Sequence, residues 1–283
     1  MKLHAIKGNT FRLDGGAMFG NAPKTMWEKW AKPDKKNQIA LACRALLVQT
    51  DDGKNILFEV GIGAFFDLKL KERYGVESEE HVLLKNLKVK GVEETDIDAV
   101  VLSHLHFDHA GGLLPEYGDE SLQLHFPNAT YYVSKSHWEY AQNPHSRERA
   151  SFIPLLHELL NKSDRLVLIK EPEHPVLDFG VTFRLTEGHT IGLMIFQIAL
   201  DSGPLIFASD LVPGMSWVHL PLTMGYDRFP ELKVNEKRDL YEAIIDKSPK
   251  LFFYHDPKIA CGELKRDEKG KYFAEPIRLD SLL

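Results

Sequence analysis

Residues Ser103 to Gly112 read SHLHFDHAGG. Three of the chain's 13 histidines and one aspartate fall between positions 104 and 109. They follow Asp98–Ser103 (DAVVLS), a short apolar run of the kind that forms a buried strand. On an extended segment, side chains at i and i+2 point the same way. His104 and His106 can therefore reach one cation. Asp108 and His109 are adjacent and would diverge on a strand, but a turn aims both at a second cation. Gly111 and Gly112 remove side chains where the backbone must bend tightly. A solvated loop has no need of this spacing, and it is read as a metal-binding loop at a strand end.

Four ligands do not satisfy two metals, so further donors are sought at other strand ends. His189 follows the strand expected at Val181–Leu185, within Glu187-Gly188-His189-Thr190. Asp210 closes the apolar run Leu205–Ser209, and His255 closes Leu251–Tyr254. Taken singly, each has an ordinary reading as a hydrogen-bonded or capping residue. Taken together, they can converge on the His104–His109 loop if their strands share a sheet edge. Imidazole and carboxylate donors without thiolate suit zinc first, with iron, manganese and cobalt as alternatives.

The surrounding pattern is mixed α/β in a single domain spanning residues 1–283. Residues 45–50 and 55–60 read as strands joined by a hairpin turn at Asp51–Lys54. Further strands are expected at Thr130–Ser134, Arg165–Ile169, Leu193–Leu200 and Pro204–Ala208. Helices are expected at Glu79–Lys90, Lys135–Gln142, Ser146–Leu160 and Glu236–Asp246. In the last of these, Leu240, Ala243 and Ile244 make an apolar stripe.

Composition narrows the function. The chain has 283 residues, 43% of them hydrophobic, and a net charge of -6. That charge disfavours a nucleic-acid partner, which calls for a basic face. Cys43 and Cys261 form no CxxC pair, so neither a disulfide framework nor a thiolate zinc knuckle is expected. The start, MKLHAIKGNTFRLDGG, lacks the apolar run of a signal peptide. No stretch approaches the ~20 apolar residues of a membrane span. The expectation is a cytoplasmic protein with no membrane partner.

With these residues in place, the chain resembles the metallo-β-lactamase superfamily of hydrolases. That family carries HxHxDH, then a His, an Asp and a last His in the same order, and the resemblance covers roughly residues 40 to 260. It implies an αββα four-layer sandwich of two mixed β-sheets with helices on the outer faces. It also implies that His104, His106 and His189 hold a first metal, that Asp108, His109 and His255 hold a second, and that Asp210 bridges both. One departure is visible. Where the family often has Asp-Thr-Gly or Asp-Val-Gly, this chain has Glu59-Val60-Gly61, and the longer Glu59 would orient His104 or its loop.

Among the branches, true β-lactamases commonly use a Cys in the second site or lack the bridging Asp. Flavodiiron members have a Glu where His106 stands and carry a flavodoxin domain. Glyoxalase II members end in a helical region, whereas a final strand and short tail are expected here. Processing nucleases need a basic face. Asp14–Gly20 (DGGAMFG), Leu57–Gly63 (LFEVGIG) and Met224–Pro230 (MGYDRFP) look like the quorum-quenching lactonase and organophosphate hydrolase branch.

The resemblance thus implies a dinuclear hydrolase in which a metal-bridging hydroxide attacks a lactone or carboxylic ester, of the N-acyl-homoserine-lactone kind. Asp108 would relay a proton to the leaving group. Tyr226 would donate to the developing oxyanion, the alternative being a buried tyrosine in an ordinary turn. Met18, Phe19, Met26, Trp27 and Trp30, with Phe65 and Phe66, would make apolar walls. Trp217, His219, Leu220, Met224 and Phe229 would add to them. Core packing or a homodimer interface are the alternatives for these aromatics. Competing functions are phosphotriester or phosphodiester hydrolysis at the same metals, redox iron chemistry, and a non-catalytic metal-binding module.

Overall fold

The computed structural model describes residues 1–170, 177–279 and 282. Contacts divide the chain into two compact units, Met1–Phe11 with Ala42–Glu171 and Arg12–Leu41 with Pro172–Leu283.

The first unit is built on six strands: β1 (Lys2–Lys7), β4 (Arg44–Gln49), β5 (Asn55–Phe58), β6 (Ala99–Val101), β7 (Thr130–Ser134) and β8 (Leu166–Ile169), hydrogen-bonded in that order. β1, β4 and β5 pair antiparallel, and β5 through β8 run parallel. The parallel crossovers carry α3 (Leu68–Tyr74), α4 (Val82–Val89), α5 (Phe107–Ala110), α6 (Lys135–Gln142) and α7 (Pro154–Lys162). Alternation along the strands divides the apolar residues between two faces. Ala45, Leu47, Leu57, Val100 and Tyr131 pack with Leu83 and Leu87 of α4, Ala141 of α6, and Leu156 and Leu160 of α7. Leu46, Val48, Ile56, Phe58 and Val101 point the other way and are buried as well. Strands apolar on both faces are the mark of a sheet buried on both sides.

The second unit repeats the plan with other connections. Its strands are β9 (Val181–Thr186), β10 (Leu193–Ile198), β11 (Leu205–Phe207), β12 (Lys250–Phe252), β13 (Cys261–Arg266) and β14 (Tyr272–Ile277), in the order β14-β13-β12-β11-β10-β9. Only β11 and β12 pair parallel, and α8 (Pro230–Ile244) lies in the crossover between them. Leu240, Tyr241 and Ile244 of α8 pack on Leu193, Ile195, Ile206 and Leu251. The segment before residue 42 adds β2 (Phe11–Asp14), α1 (Gly15–Phe19), α2 (Lys24–Trp27) and β3 (Gln38–Leu41). Phe19 stacks between Trp27 and Trp217, with centroids 5.4 and 4.5 Å away. Met18, Phe19, Trp27, Trp217 and Met224 are therefore core, and Phe66 is buried in the first unit. Met26, Trp30 and Phe229 remain exposed.

Three boundaries differ from expectation for physical reasons. The helix read from Ser146 starts at Pro154, and a 3-10 turn at Arg149–Ser151 precedes it. Proline has no N–H to donate inside a helix but suits the first helical position. For the same reason the helix read from Glu236 begins earlier, at Pro230. The part after His255 holds two strands, β13 and β14, rather than one. Their Lys, Arg and Glu residues suit an edge hairpin and hide the period. Cys43 and Cys261 are both buried. Among the described residues no helix is long and apolar enough to cross a membrane.

Candidate metal centre

In the first unit, the donors follow the C-terminal end of β6. The chain stays extended through His106 (φ -63°, ψ 151°) and then turns into the single-turn helix α5. His104 and His106 thus lie side by side, with ring centroids 4.5 Å apart, and His109 returns to 4.0 Å from His104. The turn expected after the strand is α5, and it carries Asp108 and His109. All four side chains are buried.

The loop is fixed by neighbouring strand ends. Glu59, directly after β5, holds a positive φ of 66°, unusual for a residue with a side chain. Its Oε1 accepts the Ser103 N–H at 2.8 Å, and its Oε2 lies 3.4 Å from His109 Nδ1. Glu59 therefore supports the start of the His104–His109 loop and faces His109. Ser103 Oγ is hydrogen-bonded to His104 Nδ1 at 2.8 Å. His137 Nε2 accepts the Leu105 N–H at 2.8 Å. Glu148, buried, places Oε2 3.6 Å from His106 Nε2, and Phe152 packs edge-on against the same ring.

In the second unit, three donors sit at three strand ends: His189 after β9, Asp210 after β11 and His255 after β12. The two oxygens of Asp210 face different imidazoles. Oδ2 lies 3.2 Å from His189 Nε2 and Oδ1 lies 3.2 Å from His255 Nε2. Two ligands at about 2.0 Å from a tetrahedral zinc are themselves ~3.3 Å apart, so each Asp210 oxygen lies at a distance from its imidazole that allows the two to share a cation. All seven donors are buried and able to serve a metal, and none is a thiolate. The donor chemistry fits a hard to borderline divalent ion.

His189 has further support that sequence reading missed. Asp227 Oδ1 accepts the His189 Nδ1–H at 2.8 Å and the Lys233 ammonium at 2.8 Å, while Oδ2 accepts the Met224 N–H at 2.6 Å. Burial pushes the Asp227 carboxyl up, but Lys233 and His189 outweigh it and hold it below the ordinary carboxylate range. Glu236 accepts the N–H groups of Glu187 and Gly188 at 2.6 and 3.0 Å. Its own carboxyl is raised, chiefly by burial. Lys237 donates to the carbonyls of Trp217, His219 and Leu222 at 2.8 to 3.0 Å. The i, i+3, i+4 charges of α8 look like a solvated face in sequence, yet Lys233 and Lys237 are 0% exposed. The one available signal for Asp227 was its place in MGYDRFP. Tyr226, between Gly225 and Asp227, is 40% exposed and is not a buried turn tyrosine.

Residues 39–255 match the metallo-beta-lactamase superfamily. An N-acyl homoserine lactonase of Bacillus sp is 28% identical over 181 residues, which are 63% of this chain and 64% of that protein. The match therefore spans somewhat less than two thirds of that relative's length. A probable metal-dependent hydrolase from Staphylococcus aureus superposes with a TM-score of 0.87 at 26% identity, covering 98% of this chain and 97% of the other. AidC, a dizinc quorum-quenching lactonase solved with a product N-hexanoyl-L-homoserine, superposes with a TM-score of 0.75 at 23% identity, covering 98% and 94%. The HxHxDH loop, the three later strand-end donors and a match over most of the length have one common source: the chain belongs to the metallo-beta-lactamase superfamily.

Proposed function

We propose that this protein is a metal-dependent hydrolase of lactones or carboxylic esters, with N-acyl-homoserine lactones as the leading substrate class. The observation that carries the reading is Asp210, whose two oxygens each face a different histidine at 3.2 Å. A carboxylate so placed is suited to two cations rather than one. In the proposed assignment, His104, His106 and His189 hold one ion, Asp108, His109 and His255 hold the other, and Asp210 serves both. Zinc is favoured by the thiolate-free donor set and by the dizinc lactonase of similar fold. Such ions supply Lewis acidity and a hydroxide nucleophile near neutral pH.

The chain's own residues do the rest. Ser103 and Asp227 hold His104 and His189 by hydrogen bonds at Nδ1, and Glu59 faces Nδ1 of His109, an arrangement suited to presenting each Nε2 to a metal. His106 turns Nε2 toward Glu148, which supports Nδ1 as its proposed ligand atom. Asp108 relays a proton to the leaving alkoxide. Tyr226, exposed beside Asp227, donates its hydroxyl to the substrate carbonyl oxygen. Lys233 and Lys237 are buried and committed to protein acceptors, so neither is available to a phosphate. That favours a neutral carbonyl substrate over a phosphodiester, whose charge is usually met by Arg or Lys. Neutral phosphotriesters stay compatible with the site as secondary substrates.

The test is kcat/KM on zinc-loaded protein for a long-chain acyl lactone, an aryl acetate, a phosphotriester and a phosphodiester. The lactone or ester is expected to lead. A phosphodiester ahead by tenfold, about 1.4 kcal/mol in transition-state preference, would reverse the assignment.

A further inference from the structure

His189 is held more heavily than a ligand at a strand end requires. Its ring donates Nδ1–H to a fully buried aspartate, and that aspartate is itself saturated by the Lys233 ammonium and the Met224 N–H. The backbone is strapped as well. Arg228 N–H donates to the His189 carbonyl at 3.1 Å, and Phe229 N–H to that of Gly188 at 2.9 Å. Glu236, one helical turn beyond Lys233, accepts the two N–H groups that precede His189. A methyl on Gly188 would stand 2.4 Å from the Lys233 α-carbon, so the turn and the helix are in direct contact. A buried Lys–Asp pair is expensive to desolvate and is weak as a source of stability. Its retention at this place calls for another role.

We propose that Asp227 and Lys233 are positioning residues: Lys233 and Met224 N–H lock both Asp227 oxygens, and Asp227 locks the His189 ring with its Nε2 lone pair presented to a metal. This rests on the metal-binding reading above. The consequence is asymmetric. One of two bound ions depends on a helix that contributes no ligand, through a carboxylate 38 residues from the histidine it orients.

The experiment is a zinc competition titration against a chelating indicator, on the full chain. The main variant is Asp227→Asn with Lys233→Met, which removes both charges of the buried pair together and so spares the fold the burial of an unmatched charge. Lys237→Met is the control, removing a buried ammonium one turn along the same helix without touching His189. The double variant is expected to bind one zinc as the parent does and the other about 10–100-fold more weakly. Its metal-free melting temperature is expected to stay near the parent's. Lys237→Met is expected to keep both affinities. Equal affinities in parent and double variant would overturn the inference while leaving the metal site standing. An equal loss in Lys237→Met would overturn it too, since any disturbance of α8 would then suffice. A parent that binds no zinc would overturn the metal reading and this inference together. A measurement on the parent alone stands beside these. Nitrogen-15 histidine spectra of the zinc-loaded protein should show a slowly exchanging Nδ1 proton on His189, and a rapidly exchanging one would sink the proposal.

Discussion

At the scale of single residues, the site depends on positions with no chemistry of their own. Gly188 is one. An added Cβ would meet the Lys233 α-carbon, Cβ and nitrogen at 2.4 to 2.5 Å, closer than any real contact. The obstacle is mainly helix backbone rather than a flexible tip, so relief requires α8 to move. Overpacking of this kind costs about 1–3 kcal/mol. Gly188→Ala is therefore expected to lower unfolding free energy by that amount in denaturant titrations. It should also weaken zinc binding, because α8 carries Lys233 and Glu236. Unchanged stability would mean that the helix has slack there. Asp210 sits at the other extreme. Asp210→Ala removes the carboxylate that faces both His189 and His255. Zinc retention should drop at both ions, whereas metal-free melting should move little. A large fall in metal-free stability would make Asp210 a structural residue instead.

At the scale of elements, α4 shows how a histidine outside the metal site ties the fold to pH. His81 caps the helix: its Nδ1 accepts the Leu84 N–H at 3.4 Å while Nε2 meets the Gly112 carbonyl at 2.9 Å. Both contacts are satisfied only by the neutral ring with its proton on Nε2. Burial pushes the His81 pKa down to about 4, with the hydrogen bond to Gly112 and the Glu94 carboxylate opposing and neighbouring His125 assisting. An unfolded histidine titrates near 6.5. Above that pH both states are neutral and the stabilisation is fully present. As pH falls, the unfolded chain takes up the proton first, so stability is lost between about 6.5 and about 4. The size is roughly 3 kcal/mol across that window. His81→Asn keeps a capping oxygen without the titration. Denaturant titrations of metal-free protein at pH 7, 5.5 and 4.5 should show a shallower decline for the variant. Parallel declines would remove His81 from the account.

At the scale of the whole molecule, the seven donors predict about two divalent ions per chain, mainly zinc. Elemental analysis of protein purified without chelator checks the count, and His106→Ala with His109→Ala should reduce it. Ions that bind only the folded chain stabilise it by mass action, by about 2.7 kcal/mol at a hundredfold excess over Kd. A chelator should accordingly lower the melting temperature of the parent and scarcely that of the His106→Ala, His109→Ala variant. A stoichiometry near zero would remove the metal assignment.

The residues legible in the sequence were those whose relation is local. His104, His106, Asp108 and His109 lie within six positions, and the extended-then-turned geometry that groups them follows from the apolar run before them and the glycines after. His189, Asp210 and His255 were legible because each interrupts the polarity pattern at the end of an apolar run. Most strands and α6 were readable from the same runs and their turns. What only the tertiary structure decided are relations between distant segments. Asp227 reaches His189 across 38 residues, and Glu59 reaches Ser103 across 44. Lys233 and Lys237 carry charge that the hydropathy pattern assigns to solvent, and packing buries them. Phe19 and Trp217, 198 positions apart, stack in a core that composition alone equally suits to a pocket. Periodicity records which way a side chain points along its own element. It carries no record of what another element places opposite, and the orientation of His189 by a carboxylate from elsewhere in the chain is set by that.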